Sequence, residues 1–357
     1  MFSGKMPVDR PQERSPTRGG ESTSEDARAT ALVAEVEAFM QRLAVSEKVD
    51  KLGSIGLEHL ATGGKRLRAR IALAALEALG GNPEDAVAWG AACELLHNAS
   101  LVHDDLQDGD QFRRGHPTVW STHGVAEAIN LGDLFISLAL RAVRFIAVGP
   151  AIRYELLQAM SEAMEACVRG QSAEFQLVDH CRSPDALQLY LDSVRGKTGT
   201  LFQLPLQGAA LLAGRSAAEA RALGEEFRAL GVLFQLQDDI LDLYGNKGRK
   251  GVGSDLKEGK VSCLVLAHLQ LQPADADWLI HLLKLPRDAT DAESVARAIH
   301  AFTHKGALQE SLRLLSEVTT QIEHSSRLKN ESSLYQFTLF LVHQILDPIR
   351  PVMDSHG

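Results

Sequence analysis

Cysteine, tryptophan and tyrosine are scarce in this chain, at four, three and four of 357 residues, and aromatics make up only 5%. The cysteines (Cys93, Cys167, Cys181 and Cys263) lie far apart, with no Cys-x-x-Cys pair and no Cys/His cluster at metal-site spacing. That argues against a disulfide framework and a zinc site, and for reduced, buried thiols. Few aromatics and twelve prolines, beside abundant Ala and Leu, argue against a β-rich sandwich and for helices. Basic charge is also short: 37 Lys and Arg against 46 Asp and Glu leave a net charge of −9. No overall basic excess exists to hold nucleic acid, so any phosphate binding must be local. Long apolar runs are missing too. No stretch of about 18 apolar residues could span a bilayer, and the first residues lack the apolar core of a signal peptide. A soluble, cytoplasmic protein with no transmembrane segment is expected.

Residues 1–26 are rich in Pro, Gly, Ser, Arg and Glu and hold one aromatic, Phe2. They cannot bury enough surface to offset ordering entropy, and read as a disordered tail. From Asp26 the pattern changes to ATALVAEVEAFMQRLA, apolar at helical spacing. Helix-like segments of roughly ten to thirty residues then run almost to the C-terminus, broken at turn-formers such as RRGHP (113–117), RSP (182–184), YGNKGRKGVGSD (244–255) and KLPRDATD (284–291). No alternating strand survives this reading. The expectation is all-α: one helical bundle of about a dozen helices over residues 27–350, with inner helices apolar nearly all round.

Asp-Asp-x-x-Asp occurs twice, as Asp104, Asp105 and Asp108 in LVHDDLQD and as Asp238, Asp239 and Asp242 in LFQLQDDILD. On a helix, i and i+4 lie one 5.4 Å turn apart on the same face, with i+1 rotated by about 100°. Like charges at this spacing repel, and no Lys or Arg stands four residues on from Asp104 or Asp238. One such run alone would be a solvated helix face. Two copies with matching apolar flanks call for cations, and Mg²⁺, which binds through one or two carboxylates plus substrate phosphates, suits them. Basic clusters stand apart from the acids: GGKRLR (63–68), Arg113 and Arg114, Lys197 in RGKTG, and Lys250 and Lys260. Arg forks and Lys point charges suit diphosphate oxygens, and Gly neighbours let the backbone come close. Two diphosphates are implied, one held through metal and one by Lys and Arg.

With these motifs in this order, GGKRLR, HDDLQDGDQFRRG, GKTG and FQLQDDILDLYG…GKVS, the chain closely resembles the trans-isoprenyl diphosphate synthase (polyprenyl synthetase) family over about residues 27–348. The resemblance implies an isoprenoid-synthase bundle with a deep central cavity, usually a homodimer. It implies condensation of isopentenyl diphosphate with an allylic diphosphate to an all-trans polyprenyl diphosphate. Asp104, Asp105, Asp108, Asp238, Asp239 and Asp242 would then hold about three Mg²⁺. Lys65, Arg68, His97 and Arg114 match the isopentenyl diphosphate site. Arg113, Lys197, Lys250 and Lys260 match the allylic diphosphate site, and Lys197, Thr198 and Gln235 line the reacting carbons. His97 read by itself is more readily a satisfied core histidine, and its position toward the first Asp motif tips it to ligand. Ala99 and Ser100 stand where an aromatic floors the cavity of short-chain members, so the resemblance implies geranylgeranyl or a longer product, with Leu96, Cys93 or a facing Phe135 as the next floor. The position after GGKRLR is Ala69 where many members have Pro, and VSCL follows the second motif in place of the commoner Thr-Leu-Pro. Two alternatives are a terpene cyclase, which needs no second diphosphate site, and a non-catalytic helical partner, in which loss of the Asp motifs is expected.

Overall fold

The computed structural model describes residues 21–45, 50–245 and 252–356. Lys250 lies outside them, as do residues 1–20. The first helix, α1 (Glu21–Ala44), starts five residues ahead of the composition change at Asp26, since a nucleated helix propagates into flanking sequence at one hydrogen bond per residue. It is followed by α2 (Lys51–Ala61), α3 (Leu67–Ala78), α4 (Val87–Gln107), α5 (Val119–His123) and α6 (Val125–Val143). Next come α7 (Pro150–His180), α8 (Ala186–Val194), α9 (Thr200–Leu212), α10 (Ala217–Tyr244), α11 (Ser254–Lys257) and α12 (Cys263–Leu271). The chain ends in α13 (Ala276–Leu283), α14 (Ala292–His304), α15 (Ala307–Glu323), α16 (Ser326–Lys329), α17 (Ser332–Leu346) and α18 (Arg350–His356). The all-α expectation holds. Among the described residues the helices number eighteen, above the expected dozen, in part because α5, α11, α16 and α18 are too short for a 3.6-residue period to be visible.

Several helix starts are set by side chains that accept orphan backbone N–H groups. Asp50 accepts from Gly53 N at 2.6 Å, Asp291 from Ser294 N at 2.7 Å, and Ser216 with Glu219 closes a capping box on α10. One expectation is corrected. RRGHP is a tight antiparallel hairpin, β1 (Phe112–Arg113) paired with β2 (His116–Pro117), in place of a plain break. Its two-residue turn has positive φ at both Arg114 (54°) and Gly115 (82°), the primed turn that matches strand twist. Strands of two residues leave no alternation to read.

The core is built where apolar sequence is continuous. Helix α9 is buried along almost its whole length, between α10 on one side and α3 and α7 on others, and α4 packs most extensively on α6. Trp89 on α4 is fully buried, and its indole N–H donates to the Pro205 carbonyl at 3.1 Å. Cys93, Cys181 and Cys263 are free and buried, and Cys167 is half-buried. Among the described residues no helix is long and apolar enough to cross a membrane.

Candidate active site

The C-terminal ends of α4 and α10 open into one cavity of about 1800 Å³, lined also by α7, the GKTG segment, residues 64–68 and the 254–262 segment. The two Asp motifs therefore meet across a shared space, but their six carboxylates do different things. Asp104, Asp108, Asp238 and Asp239 line the cavity, whereas Asp105 and Asp242 do not. Asp105 is buried and accepts from Arg113 Nε at 2.6 Å. Burial pushes its carboxyl up to about 6 against the pull of that guanidinium. Asp242 is also buried and ties down the following segment, accepting from Ser254 Oγ at 2.5 Å and Asp255 N at 3.1 Å.

Asp239 is a hub. Its Oδ2 accepts from Tyr190 OH at 2.7 Å and Cys263 N at 2.8 Å, and its Oδ1 accepts from Gln235 Nε2 at 2.9 Å. Gln235 Oε1 in turn accepts from Thr198 Oγ1 at 3.2 Å, so Thr198 and Gln235 are held in fixed orientations at the cavity wall. Burial, opposed by these donors, raises the Asp239 carboxyl to about 6.

Asp104 and Asp108 meet cations from far along the chain. Lys260 Nζ lies 2.7 Å from Asp108 Oδ2, and Lys197 Nζ lies 3.9 Å from Asp104 Oδ2. Lys197 also pairs with Glu174 on α7 at 2.5 Å, an acid no motif pointed to. Burial alone would lower both lysines, yet Asp104 and Glu174 hold Lys197 above its ordinary value, and Asp108 and Glu258 hold Lys260 well above it. Lys197 and Thr198 lie on a π-helical turn, Arg195–Gly199, between α8 and α9. That turn rests on α7 at Gly170, where a Cβ would stand 2.3 Å from Lys197 N. Glycine is required there by space alone.

A second part of the wall is basic, and it is continuous with the acidic part along α4, where His97 stands two turns before Asp104. Lys65, Arg68, His97 and Arg114 all line it. Glu94 Oε1, buried in α4, accepts from Arg68 N at 2.9 Å and Ala69 N at 3.2 Å and so sets the start of α3. Arg66 carries φ +48° and turns away from this task, donating to Glu37 and the Leu60 carbonyl. Arg114 donates to the Gly63 carbonyl, and a Cβ on Gly64 would stand 2.7 Å from its guanidinium. Arg68 Nη1 lies 3.3 Å from His97 Nε2. A guanidinium only donates, so Nε2 is the acceptor and the His97 proton is on Nδ1. That Nδ1 and Arg68 Nε are both buried with no partner. Burial and the neighbouring arginines hold His97 well below its ordinary value, hence neutral.

Of the positions read as chain-length determinants, Ser100 lines the cavity, but Ala99 and Leu96 are buried off it, as are Cys93 and Phe135. The cavity face of α4 runs through Glu94, His97, Leu101, Asp104 and Asp108, one helical stripe. Glu174, Tyr190, Glu258 and Arg287 also reach this cavity and carried no sequence signal, each being an isolated charged or polar residue in a helix or loop.

No three His, Cys, Asp or Glu side chains among the described residues close on one point as a ready metal cage. The carboxylates of Asp104 and Asp108 do face ammonium groups, so the site accepts positive charge, and an all-oxygen set suits a hard ion that takes its remaining ligands from water and phosphate. An all-helical bundle whose large cavity gathers carboxylates from two helices beside Lys, Arg and a neutral His defines the isoprenoid-synthase class of prenyltransferase. The chain belongs to the polyprenyl synthetase family, whose pattern it matches over residues 50–302. It is 32% identical over 300 residues to a short chain isoprenyl diphosphate synthase of Methanothermobacter thermautotrophicus, covering 80% of this chain and 89% of that protein. It is 35% identical to a geranylgeranyl diphosphate synthase of Sulfolobus acidocaldarius over 66% of this chain and 72% of that one. The crystal structure of geranylgeranyl pyrophosphate synthetase from Pyrococcus horikoshii matches with a TM-score of 0.77 at 29% identity, over 90% of this chain and 99% of that one.

Proposed function

We propose that this prenyltransferase condenses isopentenyl diphosphate with an allylic diphosphate in the presence of Mg²⁺, about three ions per site, to give all-trans geranylgeranyl diphosphate or a longer chain. One observation carries the two-substrate reading: Lys65, Arg68, His97 and Arg114 gather on the cavity lining in addition to Lys197 and Lys260, which meet the first Asp motif. A second cationic group not needed by the carboxylates suits a second diphosphate. A terpene cyclase has no use for that second group, and a non-catalytic partner has no reason to keep both Asp motifs.

Asp104, Asp108 and Asp238, with Glu174 beside them, are the residues that would hold the metal. When bound, Mg²⁺ neutralises the departing diphosphate and lowers the barrier to its departure. Lys65, Arg68, His97 and Arg114 hold isopentenyl diphosphate, while Arg113, Lys197 and Lys260 act on the allylic diphosphate. The allylic C–O bond breaks with its electron pair leaving on oxygen, the isopentenyl π pair forms the new C–C bond, and loss of a proton to the released diphosphate restores an alkene. Thr198 and Gln235, neutral and locked by Asp239, offer dipoles to the cation without a carboxylate to capture it. The cation must be shielded from water that would quench it, which calls for the substrates themselves to fill the cavity.

The small Ser100, which borders the cavity, supports the longer product. Five large apolar side chains outside the cavity stand exposed on α6 and α7, among them Ile129, Leu140 and Tyr154, which supports a homodimer joined through those helices. A cytoplasmic location fits the free cysteines. The test is product analysis after incubation with Mg²⁺, isopentenyl diphosphate and farnesyl or geranylgeranyl diphosphate. Elongated linear diphosphates are expected. A cyclic hydrocarbon formed from farnesyl diphosphate without isopentenyl diphosphate would overturn the reading.

A further inference from the structure

The loop after α13 lies against the mouth of the cavity and delivers one arginine, Arg287, into a chain of ion pairs. Arg287 Nη1 lies 2.8 Å from Asp110 Oδ1 and donates to the Asp108 carbonyl at 3.2 Å, while Nη2 lies 3.0 Å from Glu258 Oε1. Glu258 Oε2 lies 2.9 Å from Lys260 Nζ, which reaches Asp108 at 2.7 Å. Glu258 is thus a branch point with one oxygen for each cation, and its side chain is only 5% exposed. The arrangement is braced from below. Gly259, at φ +73°, lies so close to the end of α13 that a Cβ would stand 2.4 Å from the Leu283 carbonyl oxygen, which sets the 258–260 turn on the helix that leads to Arg287.

We propose that Arg287 is a positioning residue for the reaction: it keeps Glu258 paired, so that Lys260 is free to leave Asp108 for the allylic diphosphate. The inference rests on the reading of Lys260 as a diphosphate ligand given above. A buried carboxylate with two cationic partners can release one and stay compensated, whereas a buried carboxylate with one cannot release it without being stranded. Without Arg287, Glu258 retains Lys260. The cost of bringing that lysine to the substrate then falls on binding. Burial raises the Glu258 carboxyl while Lys260 and Arg287 oppose the rise, in keeping with an ionised group that depends on both.

The test uses the full-length chain. Arg287→Gln should raise the KM for the allylic diphosphate about tenfold, with the KM for isopentenyl diphosphate unchanged and kcat within about twofold. Affinity for magnesium pyrophosphate, measured by titration calorimetry without turnover, should fall by the same factor. Arg287→Lys should restore most of the loss, because the charge is what matters, and in a Glu258→Gln background Arg287→Gln should have no further effect. An unchanged or lowered KM, a lysine variant no better than glutamine, or an undiminished effect in the Glu258→Gln background would each overturn the proposal. A wild-type chain that binds magnesium pyrophosphate with this dependence on Arg287 but makes no prenyl product would overturn the functional reading and leave the pairing role standing.

Discussion

Asp239→Asn separates the carboxylate that organises the wall from those assigned to metal. Asp239 is almost fully buried, and burial holds its carboxyl at about 6, against an ordinary value of 3.8. At pH 7 the folded protein therefore keeps this group ionised at a cost of about 3 kcal/mol relative to a neutral group with the same contacts. The sign follows from the raised value. Below about pH 4 the carboxyl is protonated in both states, between about 4 and 6 only the folded state keeps the proton, and stability is lost as pH rises through that window. Asparagine fits the same place: its one oxygen can accept from Tyr190 OH and Cys263 N, and the Gln235 amide can turn to accept from its NH₂ while Thr198 Oγ1 accepts from Gln235. Urea unfolding with EDTA present, at pH 5 and pH 7, measures the effect. The stability of Asp239→Asn relative to wild type should rise by about 1 kcal/mol between the two pH values. Asp105, also raised to about 6, contributes equally to both proteins and cancels. Parallel pH dependence in variant and wild type, or a variant more than about 2 kcal/mol less stable at pH 7, would refute the reasoning.

The remaining predictions concern catalysis. Asp104→Asn or Asp238→Asn should lower kcat at least about a hundredfold while leaving the metal-free unfolding midpoint within a few degrees of wild type; near wild-type turnover would remove both from the metal site. Arg68→Gln or His97→Ala should raise the KM for isopentenyl diphosphate about tenfold and leave the KM for the allylic primer alone, which initial-rate kinetics with each substrate varied will reveal. Ser100→Tyr should shorten the product, because that side chain borders the cavity. Ala99→Tyr should instead cost about 1–3 kcal/mol of stability by overpacking the α4 core, so that equal shortening by both, read by chromatography of the dephosphorylated alcohols, would show that the floor is not set by this face.

Much of the fold was legible because a helix reports itself locally. The apolar stripe of α10 and the capping pair Ser216 and Glu219 belong to a single stretch of chain, and α9 is apolar all round because it is buried all round. The hairpin at Arg114–Gly115 and the four-residue helices were not legible, being shorter than the period that would betray them. The motif acids, Lys65, Arg68, His97 and Arg114 were legible as residues, through charge in unusual surroundings and the resemblance those motifs carry.

What the amino-acid sequence determined by itself was the inventory: an all-helical chain, two acidic triplets on helices, and a separate set of basic residues with glycine beside them. Only the tertiary structure decided how the inventory is used. It divided each triplet, sending Asp104, Asp108 and Asp238 to the cavity, giving Asp105 to Arg113 and Asp242 to Ser254, and making Asp239 the anchor of Tyr190, Gln235 and Cys263. Asp104 and Asp108 find their cations 93 and 152 residues away, in Lys197 and Lys260. The physical reason is reach. Backbone hydrogen bonds and side-chain periodicity act within one turn and leave their mark on neighbouring letters, whereas Coulomb attraction and desolvation depend on distance in space and leave none.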